Sequence, residues 1–204
     1  MSGKTSIVAK ALVHSGALKF GSFKLKSGVM SPYYIDLTWL LSSPLDFGYV
    51  INAVAEEIEP MVASGKVNKL ASIELKGALL APSIAGKLRI PCLVVRKESK
   101  TYGVTDRIAG GEVKKGDRIV FFDDVITSGA SKVEGIKLLE QAGATIEAVV
   151  VVVDREQGGR QELEKQGYKV KPVTTISEIA KNLVSAKALS VDKADDILEY
   201  IGKP

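Results

Sequence analysis

Apolar residues along this chain fall into short continuous runs that alternate with stretches spaced for one face of a helix. The clearest example runs from Ile119 to Leu139. Ile119, Val120, Phe121 and Phe122 form an unbroken apolar run, which suits a strand buried on both faces. Asp123 and Asp124 follow, then the small-residue stretch Thr127-Ser128-Gly129-Ala130-Ser131. Val133, Ile136 and Leu139 then recur on one broad helical face, and Ser131 with Glu134 has the spacing of a capping box, which predicts the helix start there. The segment reads as strand, acidic pair, small loop and helix N-terminus.

The rest of the chain repeats the alternation. Thr5–Ser15 is expected as a helix closed by Gly16, and Phe20–Leu25 as a short strand. Ser43 and Pro44 have the character of N-cap and first helical residue, with Val50, Ile51, Val54, Ile58 and Met61 on the following helix and Gly65 at its stop. Leu70–Leu75 reads as a strand, Ala78–Leu88 as a helix, and Cys92–Arg96 as an apolar strand ending in a cation. Arg96 to Gly116 shows little periodicity. Thr145–Val153 is a strand rich in β-branched residues. Arg160–Gln166 is expected as a helix, Tyr168–Val173 as an edge strand, and Ile176–Leu189 and Asp192–Ile201 as helices. Strands alternating with helices predict an α/β fold with a mainly parallel central sheet flanked by helices.

Composition adds bounds. At 204 residues the chain is expected to be a single domain, 46% hydrophobic and 25% charged, in the ordinary range for a globular protein. Its longest apolar run, Ala148–Val153, is far short of a membrane span. Ser6–Leu12 is a short amphipathic pattern carrying Lys10 rather than a signal peptide, so a cytoplasmic location without membrane contact is expected. The formal charge of +4 is mild and its cations form no block, so no nucleic-acid partner is expected. Single copies of cysteine, Cys92, and histidine, His14, exclude an internal disulfide, a Cys- or His-rich metal site and a Ser-His-Asp triad. Gly3-Lys4-Thr5 resembles the end of a P-loop but lacks the upstream strand and first glycine.

Candidate chemistry sits at the ends of the predicted strands, which in such folds converge on one crevice. A helix N-terminus offers free N–H groups and a positive dipole end, and a loop of Thr, Ser, Gly and Ala lets a phosphate approach them. Asp123 and Asp124 beside such a loop repel phosphate. They suit another part of the same ligand: sugar hydroxyls, a magnesium ion, or both. The alternative is a strand-to-helix turn with a solvated acidic pair. Lys76 precedes a helix and is placed for an anion, or is a surface lysine at a turn. Arg96, Lys97 and Lys100 flank a glycine-containing stretch longer than the usual loop, which suits closure over a polyanion; a solvated basic loop is the other reading. Arg155, at the end of a buried strand, is suited to a carboxylate ligand, or to pairing with Asp154 or Glu156. Lys26, in a Ser/Gly turn, reads equally as a hairpin lysine or an anion contact.

Residues 119–131 resemble the phosphoribosyl pyrophosphate (PRPP) signature of type I phosphoribosyltransferases. Further motifs, in family order, resemble the orotate phosphoribosyltransferases: Phe20-Gly21 through Leu25-Lys26-Ser27-Gly28 and Ser31-Pro32-Tyr33-Tyr34, Lys76-Gly77, Arg96-Lys97-Glu98-Ser99-Lys100, and Asp154-Arg155 with Gly158-Gly159. The resemblance implies a type I phosphoribosyltransferase fold with a small N-terminal hood from about residues 1–40 and a mobile catalytic loop at about 97–115. It implies that PRPP is held by Lys76, Arg96, Lys97, Lys100, Asp123, Asp124, Thr127, Ser128, Gly129, Ala130 and Ser131. Orotate would meet Lys26, Tyr34, Ile35, Thr127 and Arg155, and the catalytic set would be Lys100, Lys26, Asp123 and Asp124. Mg²⁺ is expected, held mainly through PRPP and through water to Asp123 or Asp124 rather than by direct protein ligation. A homodimer is implied, its loop acting on the neighbouring subunit, with association to orotidine monophosphate decarboxylase a further expectation. Many relatives carry histidine where this chain has Tyr102, which removes any acid–base role assigned to that histidine. A phosphoribosyltransferase for another base, and a PRPP-binding regulator without catalysis, are the competing functions. The Asp154-Arg155 motif weighs against the first and the loop cations against the second.

Overall fold

The structure, a computed structural model, describes residues 3–25, 28–97 and 107–202, leaving out the side chains of Ala130 and Ser131. The chain divides into two compact units: Met1–Val50 with Thr174–Pro204, and Ile51–Val173.

In the first unit, helix α1 (Gly3–His14) leads through Gly16, in the left-handed region at φ 73°, into strands β1 (Leu18–Lys24) and β2 (Met30–Ile35), an antiparallel hairpin. Lys26 lies outside the described residues. A 3-10 helix (Leu37–Ser42) is capped by Asp36, whose carboxylate accepts from the Thr38 amide at 3.2 Å. Helix α2 (Pro44–Ala63) begins in this unit. His14, exposed at the end of α1, lies 2.6 Å from Asp46. Helices α6 (Ile176–Ser185) and α7 (Val191–Ile201) complete the unit, α6 starting in a full capping box between Thr175 and Glu178. Val8, Leu12, Leu18, Tyr33, Ile179, Leu183 and Ile197 are buried here, each worth about 1.5–3 kcal/mol relative to exposure.

The second unit carries the larger sheet. Its strands are β3 (Lys69–Ile73), β4 (Cys92–Val95), β5 (Ile108–Ala109), β6 (Arg118–Ile126), β7 (Thr145–Asp154) and β8 (Val170–Thr175), in the order β5-β4-β3-β6-β7-β8. The β3–β4, β3–β6 and β6–β7 pairs are parallel; β5 runs antiparallel to β4. Helices α3 (Lys76–Leu88), α4 (Ala130–Gln141) and α5 (Gly159–Lys165) connect them. Every residue of the β6 run Ile119–Phe122 is fully buried, as a strand covered on both faces requires. Phe121 packs with Ile73, Val149, Ile136, Leu139 and Leu163 in one apolar cluster.

Several local expectations change. The strand expected to end before the acidic pair continues through it to Ile126. It does so because β7 keeps pairing as far as Ile126↔Asp154, whereas β3 stops at Ser72↔Phe122. Helix α4 starts at Ala130 behind Gly129, which sits at φ 80°, and its N-cap makes no side-chain hydrogen bond; the N-cap is Gly129 rather than Ser131, which falls inside the first turn. Glu134 is paired with Arg107 at 2.7 Å. The stretch expected to be irregular contains β5, which closes a short antiparallel pairing onto β4. Lys76 and Gly77 belong to α3 rather than to a turn before it.

Candidate functional site

β3 connects to β4 on one side of the sheet and β6 to β7 on the other, so the connection order reverses between β3 and β6. In open α/β sheets ligands bind at the carboxyl ends of strands beside such a reversal. Here the backbone opens at that point: β6 loses its β3 neighbour after Phe122, and the next two residues are Asp123 and Asp124. A cavity of about 360 Å³ lies there, lined by residues following β3 (Glu74, Leu75, Lys76), by Lys97, and by Asp123, Asp124, Thr127, Ser128, Gly129 and Lys132.

Two helices contribute their N-termini to the lining, α3 through Leu75 and Lys76, α4 through Gly129. Both leave free N–H groups beside the acidic pair. The approach is tight. A Cβ on Gly77 would meet the Asp123 carboxylate, and would lie 2.6 Å from Ser72 Oγ and 2.9 Å from Asp123 Cα, so only glycine fits. Ser72 Oγ is itself buried and finds no hydrogen-bond partner among the described residues. On the other side, a Cβ on Gly159 would collide with the Thr127 backbone, and one on Gly129 would come 3.1 Å from Gly159 O. The Gly158-Gly159 turn therefore supports the small-residue loop by backbone contact, and the Arg155 amide adds a hydrogen bond to Ile126 O at 3.1 Å.

The two carboxylates are buried and unequal. Asp123 accepts from the Asp124 amide at 2.9 Å and faces Lys132 Nζ at 2.7 Å. Burial and the adjacent Asp123 push the Asp124 carboxyl up to about 7, with the Val125 amide and Lys132 acting in the opposite direction. Near neutral pH the Asp124 carboxyl is therefore close to its midpoint, and a cation beside the pair would favour its ionised form.

Of the residues singled out from sequence, the cavity gathers Lys76, Lys97, Asp123, Asp124, Thr127, Ser128 and Gly129. Ala130 opens α4 with Ser131 next in its first turn. Arg96 is half-buried at the end of β4 and does not line the cavity, nor does Arg155. Tyr34 and Ile35 belong to β2 in the first unit, the Tyr34 ring 5.8 Å from that of Phe23. Lys100 and Tyr102, like Lys26, lie outside the described residues. Sequence reasoning missed Lys132, Glu74 and Arg107. Glu74 accepts the Lys97 amide at 2.6 Å. Arg107 donates to the carbonyls of Arg96 and Lys97 at 3.0 and 2.7 Å and pairs with Glu134 on α4, so it ties the end of β4 to α4. A lysine directly after the small loop was the legible signal for Lys132; nothing in the pattern marked Arg107.

Among the described residues no group of three or more His, Cys, Asp or Glu gathers as a metal cage, and no helix is long and apolar enough to cross a membrane.

Comparison with known proteins bears on the family and the fold. The phosphoribosyl transferase domain family matches residues 46–190. The orotate phosphoribosyltransferase of Pyrococcus horikoshii is 35% identical over 170 residues, covering 83% of this chain and 90% of the relative. The solved orotate phosphoribosyltransferase of Aeropyrum pernix superimposes with a TM-score of 0.75 at 28% identity, over 87% of this chain and 98% of the other. Leishmania donovani UMP synthase gives a TM-score of 0.84 at 32% identity over 98% of this chain; the match spans 42% of that longer protein. A cavity flanked by two helix N-termini around a buried acidic pair, together with these matches, assigns the chain to the phosphoribosyltransferase family, among the orotate phosphoribosyltransferases.

Proposed function

We infer that this protein transfers the phosphoribosyl group of PRPP to orotate, giving orotidine 5′-monophosphate and pyrophosphate. The observation that carries this reading is the cavity between β3 and β6. It offers two anion-binding helix ends, with a carboxylate pair between them. PRPP has the matching layout: a monophosphate at one end, a pyrophosphate at the other and ribose hydroxyls between. The loop from Thr127 to Ser131 at the start of α4 takes the 5′-phosphate. Lys76, at the start of α3, takes the pyrophosphate with Lys97. Asp123 and Asp124 face the ribose.

The residues suit the chemistry. Cleavage at ribose C1 leaves an oxocarbenium-like sugar and adds negative charge to the departing pyrophosphate. Lys76, Lys97 and the α3 N-terminus stabilise that charge, and the acidic pair opposes the positive charge on the sugar. Fixing the phosphate on backbone amides supplies orientation. The ring nitrogen of orotate attacks C1, so the protein needs no nucleophile of its own. Lys100, Lys26 and Arg96 join the anion-stabilising set on the strength of the family pattern. Tyr34, Ile35, Thr127 and Arg155 are assigned to orotate on the same basis, Arg155 to its carboxylate.

Mg²⁺ belongs to this proposal. The donor set fits a hard cation shared with its ligand: one or two carboxylates and waters, completed by phosphate oxygens, rather than an all-protein cage. Asp124 would hold the ion through water, and the ion would neutralise charge on pyrophosphate. The proposal extends to a homodimer whose 97–115 segment acts on the neighbouring active site. It extends also to handover of the product to a decarboxylase, since orotidine 5′-monophosphate keeps its carboxylate.

Ultraviolet monitoring of orotate with PRPP, with and without Mg²⁺, tests the reaction. Orotate consumption that requires both PRPP and Mg²⁺ is expected; no consumption under any condition overturns it. Arg155→Ala is expected to cost about 1.5–3 kcal/mol in orotate recognition, the range for a hydrogen bond to a charged group. An unchanged preference for orotate over uracil would remove Arg155 from the base site.

A further inference from the structure

We propose that Lys132 is a positioning residue of the phosphoribosyl site, acting through Asp123 to hold the acidic pair of β6 in register with the phosphate loop of α4. The proposal rests on the phosphoribosyl reading above and adds to it a residue that makes no claim on the ligand.

Lys132 is in an unfavourable place for a lysine. It lies in the first turn of α4, where a cation opposes the helix dipole. Its side chain is only 5% exposed, and burying an ammonium group carries a desolvation penalty of several kcal/mol. Its partners account for its presence. Nζ sits 2.7 Å from Asp123 Oδ2 and donates to the carbonyl of Val125 at 2.8 Å. Both acceptors are on β6, on either side of Asp124. One side chain thus ties the beginning of α4 to the end of β6, across the loop that would hold the 5′-phosphate.

The effect on Asp123 is specific. Its Oδ1 accepts from the Asp124 amide at 2.9 Å and its Oδ2 faces Lys132. With a donor on each oxygen, the carboxylate has one orientation although it is only 6% exposed. The distance between ribose and 5′-phosphate is fixed in PRPP, so a site that reads both must hold the acidic pair and the loop at one separation. Lys132 spans the two.

The test is a double-mutant cycle on the whole protein: wild type, Lys132→Met, Asp123→Asn and the double variant, with PRPP and orotate varied separately. Lys132→Met is expected to raise KM for PRPP by about 10- to 100-fold, the usual loss when a group orienting a ligating side chain is removed. KM for orotate is expected to stay within about twofold. A general loss of folded protein would lower kcat and leave both KM values alone. Because Lys132 acts through Asp123, the double variant should match Asp123→Asn alone within about twofold. Independent, multiplying losses would overturn the proposal, as would an unchanged KM for PRPP in Lys132→Met. If Lys132→Met does not fold, the double variant, which leaves no buried charge unpaired, decides the matter: a loss beyond that of Asp123→Asn means that Lys132 contacts the ligand itself. Calorimetric titration of PRPP into the same proteins reads the coupling without turnover. A wild type that binds PRPP but ignores orotate would therefore strike the functional reading and leave this one standing or falling separately.

Discussion

The two ends of the central sheet make an instructive pair. At the carboxyl ends of β3 and β6 lies the cavity of about 360 Å³ with Lys76, Lys97, Lys132 and the acidic pair. At the opposite ends lies a larger one, about 520 Å³, whose lining includes Lys66, Arg118, Lys169 and Lys171 with Glu147. By volume and cation count the second is the better anion site. Helix polarity reverses that order. The first cavity receives the N-termini of α3 and α4, whose free amides and dipoles favour anions. The second receives the C-terminal end of α2, at Met61, Ser64 and Gly65, where carbonyls face out and cations serve the helix itself. Burial separates the two through the acidic pair and Lys132, which are nearly inaccessible; Lys76 and Lys97 are exposed, as are Lys66, Arg118 and Lys169, and Lys171 is paired with Glu57 at 3.4 Å. Charges held in a dry, preorganised setting act far more strongly than the same charges in water.

Substitutions at the two ends should therefore behave differently. Asp124→Asn is expected to have the largest effect, lowering kcat/KM for PRPP by about 10²–10³-fold, as when one preorganised electrostatic group is lost; steady-state kinetics reads it. Gly77→Ala should come next. The added Cβ has no room against Asp123 and Ser72, so denaturant melts should show a loss of about 1–3 kcal/mol, with activity falling further because Asp123 is displaced. The third prediction concerns pH. The Asp124 carboxyl is raised from 3.8 to about 7, so the folded state holds a proton that the unfolded chain releases. That contribution to stability is full below about pH 3.8 and is lost as pH rises through about 7. Asp124→Asn removes this loss. In the ligand-free protein its melting temperature at pH 8 should exceed that of wild type, by about 2–4 °C for each kcal/mol relieved, and the gap should close toward pH 4. The smallest effect is expected at the other end: Lys169→Ala and Arg118→Ala should change stability by no more than about 0.5 kcal/mol and leave KM for PRPP within about twofold.

Much of this architecture was legible in the pattern of the chain. Buried parallel strands write themselves as unbroken apolar runs, so β6 and β7 were visible, and the helices between them followed from spacing. The acidic pair, the small loop and Lys76 were legible because their residue types are unusual at strand ends. What was not legible depends on pairing across the chain. The extension of β6 past Asp124 follows from β7 register, which no local pattern reports. The N-cap of α4 is Gly129, at φ 80° and close to Gly159, two residues ahead of the one expected at Ser131. β5 is two residues long and owes its existence to β4. Arg107 acts through carbonyls at Arg96 and Lys97, and although Lys132 stands directly after the small loop, its burial against Asp123 is a property of the fold. The glycines of the Asp154–Gly159 motif were legible as family pattern, whereas their contact with Thr127 emerged only in three dimensions.

The most direct test of the central claim, that PRPP is read at the carboxyl ends of β3 and β6, is calorimetric titration of PRPP in the presence of Mg²⁺. Wild type would be compared with Asp124→Asn, Lys76→Ala and the Lys169→Ala/Arg118→Ala pair. One site per chain is expected, weakened in Asp124→Asn and Lys76→Ala and unchanged when the opposite end is neutralised. Binding that survives both crevice substitutions, or that disappears with Lys169 and Arg118, would contradict it.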